Sequence, residues 1–363
     1  MIGDLTQLTL RRVPSAPSLQ AYNAADELVI QRLEAHVGSG EPLLLVNDAF
    51  GALATALAST RPDWWSDSAM ARQAMEENIR ANQAVAPRVI DSPGDLNTQY
   101  SLVILHAPKS LALFDWQLSV LSAHLIHGGE CWVTGMVKHL SRGHQKIMQR
   151  HFTQIDPGLA VKKARCVRLA QPLAHATTEP LRDYVAGDST LVSLPGCFSE
   201  SRPDPGALAF LNVFDQLPLV DRFVDLGCGN GVLALNYLHR HPTSQAILVD
   251  ESRQATASAA ASAERNGFRV QIAHNNGLAG LALEQLPLIL CNPPFHQSTT
   301  LTTDIAHRLF NEAARALADQ GEFWVVGNRH LNYHNTLKRW FKQVTPVSQH
   351  PKFVIFRCTG PAP

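Results

Sequence analysis

The stretch "LILCNPPFHQ" (288–297) runs four apolar residues straight into Asn292-Pro293-Pro294-Phe295. Two consecutive prolines cannot donate to a sheet ladder, so strand pairing must end there and the turn that follows is stiff. Such a turn suits the presentation of an exocyclic amine to an electrophile. A purine amine shares its lone pair with the ring and is a poor nucleophile. Hydrogen bonds from its two N–H groups to the Asn292 side-chain oxygen and the Pro293 carbonyl would orient it and draw the lone pair out of conjugation. Prolines that fix this carbonyl are preorganisation at the reacting centre, and Phe295 can stack on the base. The amine is out of reach in a paired, stacked helix, so the base must be flipped out or already unpaired. The plain alternatives are a strand stop, a core phenylalanine and a turn asparagine. All four residues in this order after an apolar strand argue against them.

A second group lies in "VDLGCGNG", with Asp225, Gly227, Gly229, Asn230 and Gly231. Glycines allow a tight turn and close approach of a ligand to the backbone. A dehydrogenase-type pyrophosphate grip would need glycine at 232, where this chain has Val232, and Asp225 puts negative charge where a pyrophosphate would lie. The same aspartate suits an amine-bearing ligand. Asp250, ending "AILVD", is placed to accept from ribose hydroxyls, and Asn276, beside Asn275, could meet an adenine edge. Ligands in open α/β sheets sit beyond the carboxyl ends of strands, where these groups gather.

Short β-rich runs alternate with helix-like segments, which implies a mostly parallel, doubly wound α/β sheet. The expected strands of the second half are 223–226, 246–250, 270–273, 288–291, 322–326 and 353–357. "SRQATASAAASAERNG" and "AHRLFNEAARALADQG" read as helices closed by glycine, and the segment between the last two strands reads as a helix and a Pro-containing loop. The pattern occurs twice: "GECWVTGMVKHL" (129–140) echoes "GEFWVVGNRHL" (321–331), "LVILHAPKS" (102–110) echoes "LILCNPPFH" (288–296), "KARCVRL" (163–169) echoes "KFVIFRC" (352–358), and "LLLVNDAFGALATALA" (43–58) echoes "RFVDLGCGNGVLALNYL" (222–238). Two homologous domains are expected, 1–175 and 176–363. In the first, Asn47 is aligned with Asp225, Phe50 intrudes where a nucleoside would sit, and His106-Ala107-Pro108-Lys109 replaces the Asn-Pro-Pro-Phe turn.

Lys+Arg and Asp+Glu are balanced at 31 each, so net charge advertises no polyanion partner, although a local patch still could. One exists: Lys138, Arg142, Lys146, Arg150, Lys162, Lys163, Arg165 and Arg168 face Asp156 alone between 138 and 168. It reads either as a solvated surface or as a phosphate-contacting one. Trp64-Trp65 is read as a buried pair rather than a stacking platform. The six cysteines form no CxxC pair, so neither a zinc site nor a disulfide framework is expected. With no signal-like or membrane-length apolar run, the cytoplasm is the expected location.

The Gly-rich turn, Asp250 and Asn-Pro-Pro-Phe together resemble the class I S-adenosylmethionine-dependent methyltransferases. The duplication, with "VDLGCGNGVLAL", "VDES", "LCNPPFH", "GNRHL" and "KFVI", resembles the tandem-domain ribosomal RNA guanine-N2 methyltransferases (the RsmC/RlmG family), most of all the large-subunit (23S) branch. The resemblance implies S-adenosyl-L-methionine as cofactor, a degenerate first copy and a catalytic second one. Its catalytic residues would be Asn292, Pro293, Pro294 and Phe295, and its cofactor contacts Asp225, Gly227, Gly229, Asn230, Gly231, Asp250, Asn276 and Asp204. Asp204 comes from "CFSESRPDPGALAFLNVF", where Phe198 and Gly206 also match and Pro203 departs from the usual hydrophobic residue. In an RNA enzyme Lys138, Arg142, Lys162, Lys163, Arg165 and Arg329 become RNA contacts, with ribosomal RNA as partner and no metal, membrane or obligate protein partner expected. The alternatives are a small-subunit (16S) substrate, a protein glutamine or DNA adenine substrate, and a non-catalytic RNA-binding or ribosome-assembly protein.

Overall fold

The computed structural model describes residues 2–16, 18–34, 41–174, 181–293 and 300–362; Pro294 and Phe295 of the expected catalytic turn lie outside them. The chain forms two compact units, Met1–Pro180 and Leu181–Pro363.

In the first unit β1 (Leu43–Val46), β2 (Asp63–Trp65), β3 (Arg88–Ile90), β4 (Tyr100–His106), β5 (Leu125–Met136), β6 (Phe152–Asp156) and β7 (Ala164–Pro172) form a seven-stranded sheet in the order β3-β2-β1-β4-β5-β7-β6. The second opens with a hairpin, β8 (Arg182–Ala186) and β9 (Ser189–Ser193). Then β10 (Arg222–Leu226), β11 (Gln245–Asp250), β12 (Gln271–His274), β13 (Leu286–Cys291), β14 (Leu317–Asn328), β15 (Phe341–Gln349) and β16 (Phe353–Pro361) repeat that order as β12-β11-β10-β13-β14-β16-β15. In each sheet the first five strands pair parallel and the last two pairings are antiparallel. The doubly wound, Rossmann-like α/β class and the duplication read from the sequence are both present. Helices on both faces make the central strands continuous apolar runs: Leu44, Leu45 and Val46 are fully buried, as are Phe223 and Val224.

The echoed Gly-Glu-x-Trp has a physical cause. Trp132 Nε1 donates to Glu130 at 2.8 Å and Trp324 Nε1 to Glu322 at 2.7 Å. From the antiparallel neighbour, Arg168 pairs with Glu130 and Arg357 with Glu322, each arginine opposite the tryptophan in register. A carboxylate satisfied by an indole and a guanidinium can sit at the sheet without an orphaned charge. The preceding glycines let backbone come close: a Cβ on Gly129 would stand 2.8 Å from the Tyr100 carbonyl, and one on Gly321 2.5 Å from that of Leu286.

Three local expectations are corrected. The helix Thr300–Ala316 stops short of Gly321, and Leu317–Gly321 already belongs to β14. The expected Pro-containing loop is β15; Pro346 is tolerated because β15 is the edge strand and its ladder is irregular between Pro346 and Ser348. Asn47 does not stand at the position of Asp225. Val46 pairs with Trp65 as Leu226 pairs with Val249, and the next amides, Asn47 N–H and Gly227 N–H, bond to the Trp65 and Val249 carbonyls. Asn47 is therefore the counterpart of Gly227, Leu45 of Asp225 and Ser66 of Asp250.

Candidate active site

The strand ends of the second unit assemble the site. After β10 the chain turns through Gly227 (φ 73°), Gly229 (φ 55°) and Gly231 (φ 86°), left-handed conformations that cost a side chain energy. Gly231 caps the helix Val232–Arg240. Asp225 Oδ2 accepts from the Ala234 N–H at 3.0 Å, leaving Oδ1 buried without a partner. Burial, reinforced by the charge of Asp250, pushes the Asp225 carboxyl up to about 7 against the opposing pull of that N–H. Asp250, at the end of β11, ties the loop together: Oδ2 takes the Gly229 N–H and Oδ1 the Ser252 N–H, both at 2.9 Å.

Asn276, beyond β12, is held by Arg308 through its carbonyl at 3.0 Å and its Oδ1 at 2.5 Å. Arg308 also pairs with Glu312, whose Oε2 takes the Leu278 N–H at 2.7 Å. The helix Thr300–Ala316 thus clamps the loop that was expected to face the adenine. Asn230, expected among the cofactor contacts, is 3% exposed and donates to the Tyr184 hydroxyl (2.7 Å) and Ser193 (3.0 Å). Its amide nitrogen anchors the β8–β9 hairpin under the glycine loop, a role that the motif did not signal.

Beyond β13, Asn292 donates from Nδ2 to Asp204 Oδ2 at 3.0 Å, and its Oδ1 is buried without a partner. Asp204 caps the helix Pro205–Leu211. Sequence alone gave no signal that these residues, 88 apart, touch. The expected catalytic and cofactor residues that the structure describes therefore gather at the carboxyl edge of one sheet.

The first unit fills the corresponding space. Asn47 (φ 59°) takes the left-handed position of Gly227, and its Nδ2 bonds to the His106 carbonyl (3.0 Å) and to Gln117 (2.9 Å). His106, the last residue of β4, occupies the register position of Asn292 just beyond β13, and its Nε2 pairs with Asp26 at 2.8 Å. Burial alone would depress the His106 imidazole; Asp26, together with Asp48 and the Val46 backbone, outweighs it, and the net shift is upward. Asp48 substitutes for the helix-capping function of Asp225, accepting from Ala52 (3.1 Å) and Ala54 (2.9 Å), with its carboxyl raised to about 6 chiefly by burial. Phe50 packs against the Arg12 guanidinium, 4.4 Å from the ring centre. Trp64 and Trp65 are buried, as expected.

Among the expected RNA contacts, Lys138, Arg142, Lys162, Lys163 and Arg329 are exposed and Arg165 is half-buried. Lys162 pairs with Glu27 at 2.7 Å, and Arg329 donates to the His350 carbonyl at 3.1 Å. The Val137 N–H bonds to the Lys163 carbonyl, bringing Lys138 and Lys163 onto neighbouring turns. Slight burial and the nearby cations Lys138 and Lys109 lower the His139 imidazole. Among the described residues no group of three metal-ligating side chains forms, and no helix is long and apolar enough to cross a membrane.

The residues fit the cofactor implied by the motifs. A Cβ on Gly229 would meet nothing within 4 Å, and one on Gly227 only the Asn292 carbonyl at 3.9 Å, so the turn is an open cradle. The unpartnered buried Oδ1 of Asp225 is an acceptor that lacks a donor, as a ligand carrying an amine would require.

Comparison with known proteins agrees. Residues 3–174 match the RLMG N-terminal domain and residues 188–357 the methyltransferase small domain. The chain is 38% identical over 97% of both sequences to the ribosomal RNA large subunit methyltransferase G of Ectopseudomonas mendocina. It is 36% identical, over 96% of both, to the protein of that name from Stutzerimonas stutzeri. In fold it is similar to the T. thermophilus 16S rRNA N2 methyltransferase RsmC, solved in complex with AdoMet and guanosine, with a TM-score of 0.76 and 20% identity over 93% of this chain and 92% of that one.

Proposed function

The chain belongs to the ribosomal RNA large subunit methyltransferase G family, and from that membership we propose that it methylates the exocyclic N2 amine of a guanine in 23S ribosomal RNA. It is an S-adenosylmethionine-dependent methyltransferase of ribosomal RNA. The observation that carries the choice of an amine is Asn292, held beyond β13 with a buried, unpartnered Oδ1. An acceptor that lacks a donor, followed in the chain by the carbonyl of Pro293, suits an NH2 group. The guanosine in the RsmC complex supports guanine N2 as that group.

S-adenosylmethionine, when bound, supplies a methyl group activated on a sulfonium. Asp225, Gly227, Gly229, Gly231 and Asp250 would hold it, with Asn276 kept in place by Arg308. The two target N–H groups donate to Asn292 Oδ1 and the Pro293 carbonyl, which fixes the amine and releases its lone pair from the ring. The Asn292 amide is held by Asp204 before reaction, so little reorganisation opposes the step. Positive charge developing on nitrogen is shared with these two oxygens, and the amine proton leaves afterwards without a strong base. Phe295 would stack on the base. In the first unit the Asn47 network excludes a ligand, and Lys138, Arg142 and Lys163 would instead contact RNA phosphates, with Lys162, Arg165 and Arg329 in support. The cytoplasm, where ribosomal RNA is made and assembled, is the proposed location.

Incubation with labelled S-adenosylmethionine and unmodified 23S or 16S RNA tests the substrate. Label confined to 23S RNA is expected; label confined to 16S RNA would transfer the protein to the small subunit.

A further inference from the structure

Asp204 accepts from two donors on one oxygen. Its Oδ2 takes the Ala207 N–H at 2.8 Å, capping the helix Pro205–Leu211, and Asn292 Nδ2 at 3.0 Å. An ionised carboxylate has no proton to give. The end of the Asn292 amide facing it must therefore be the NH2, which turns Oδ1 away, where it is buried without a partner. The reverse orientation would set oxygen against carboxylate and present NH2 to the NH2 of the target.

We propose that Asp204 is the positioning residue that sets the amide orientation of Asn292, and not a cofactor contact. The inference rests on the amine-acceptor reading of Asn292 given above. The first unit supplies an independent parallel: Asp26, in the first turn of the helix Ala24–Glu34, holds His106, which occupies the place of Asn292. A carboxylate from the start of the corresponding helix grips this position in both copies, even where the asparagine is gone. With Asp204 only 7% exposed, water competes weakly for the bond.

Asp204→Asn and Asp204→Ser both keep a competent helix cap but replace an acceptor-only group with one that also donates. Turnover at saturating substrates should fall about 100-fold, the scale of a misplaced reacting group. The dissociation constant for S-adenosylhomocysteine should stay within about twofold, the split expected when ground-state binding is untouched. In cofactor-free protein labelled with 15N-asparagine, the Asn292 side-chain amide, identified by its loss in Asn292→Ala, should have one downfield, slowly exchanging proton that reverts to ordinary values in Asp204→Ser. Unchanged turnover, an unchanged resonance, or a turnover loss explained by weakened cofactor binding would overturn the proposal. Full activity in Asn292→Ala would instead bring down the underlying reading of the site. An inactive Asn292→Ala beside fully active Asp204 variants would overturn the positioning role alone.

Discussion

Replacing Gly227 by asparagine would graft the lesion of the first copy onto the second. The two positions share strand register and a left-handed backbone, φ 73° at Gly227 and 59° at Asn47. Asparagine tolerates that conformation better than other residues with side chains. A Cβ there meets only the Asn292 carbonyl, at 3.9 Å, and the amide beyond it can bond to that carbonyl as Asn47 does to the His106 carbonyl at 3.0 Å. That bond, worth about 1 kcal/mol, offsets most of the backbone strain, so the melting temperature should move by no more than about 4 °C. Binding should suffer far more. A cofactor must break the new bond and give up contacts in the space that the side chain fills. About 2–4 kcal/mol corresponds to an affinity loss of about 30- to 700-fold. Calorimetric titration with S-adenosylhomocysteine, beside a thermal melt, measures both quantities. A variant that binds as tightly as the wild type would refute the idea that Asn47 closes the first site. The reciprocal Asn47→Gly should not restore binding, because Leu45 and Ser66 stand where Asp225 and Asp250 would be needed.

Asn236→Ala should destabilise the second unit by about 2–4 kcal/mol. It orphans the Asp188 N–H (2.7 Å) and the buried Ala186 carbonyl (3.0 Å) that fix the hairpin turn, and chemical denaturation would reveal an unchanged midpoint if those bonds contribute nothing. Asp225, raised to about 7 mainly by burial, keeps a proton in the folded state that the unfolded chain releases near pH 4. The folded state therefore holds more protons between about pH 4 and 7, and this contribution to stability falls as pH rises through that window, by about 4 kcal/mol at most. Asp225→Asn, without cofactor, should flatten the melting curve against pH there; parallel curves would contradict the shift. Arg308→Ala releases the Asn276 loop and should weaken S-adenosylhomocysteine binding about 10-fold with a smaller change in turnover, a pattern that equilibrium titration and saturating kinetics separate. Lys138→Ala with Lys163→Ala should lower the slope of log affinity for RNA against log salt by about 1.4 if each neutralises one phosphate; an unchanged slope in filter binding would place the RNA elsewhere.

Local physics made much of the molecule readable. Gly-Glu-x-Trp recurs because each Glu must satisfy a Trp and an Arg, so the duplication survives in those letters after the binding residues have diverged. Glycines at 227, 229 and 231 declare their turn because few other residues adopt its left-handed backbone. Non-local facts were hidden. Asn47 was misaligned because an Asn standing in for a left-handed Gly looks, in "VND", like a displaced Asp-Leu-Gly. β15 was hidden by its edge proline. Asn230 looked like a ligand contact although its partners lie in a hairpin some 40 residues upstream, Tyr184 and Ser193. The bond from Asp204 to Asn292 joins segments whose proximity only the folded sheet creates.

The most direct test of the central claim is nucleoside analysis of unmodified 23S RNA treated with S-adenosylmethionine and either the wild-type protein or Asn292→Ala. N2-methylguanosine is expected with the wild type and none with the variant, at equal cofactor affinity. A different methylated nucleoside, or undiminished N2-methylguanosine from Asn292→Ala, would contradict it.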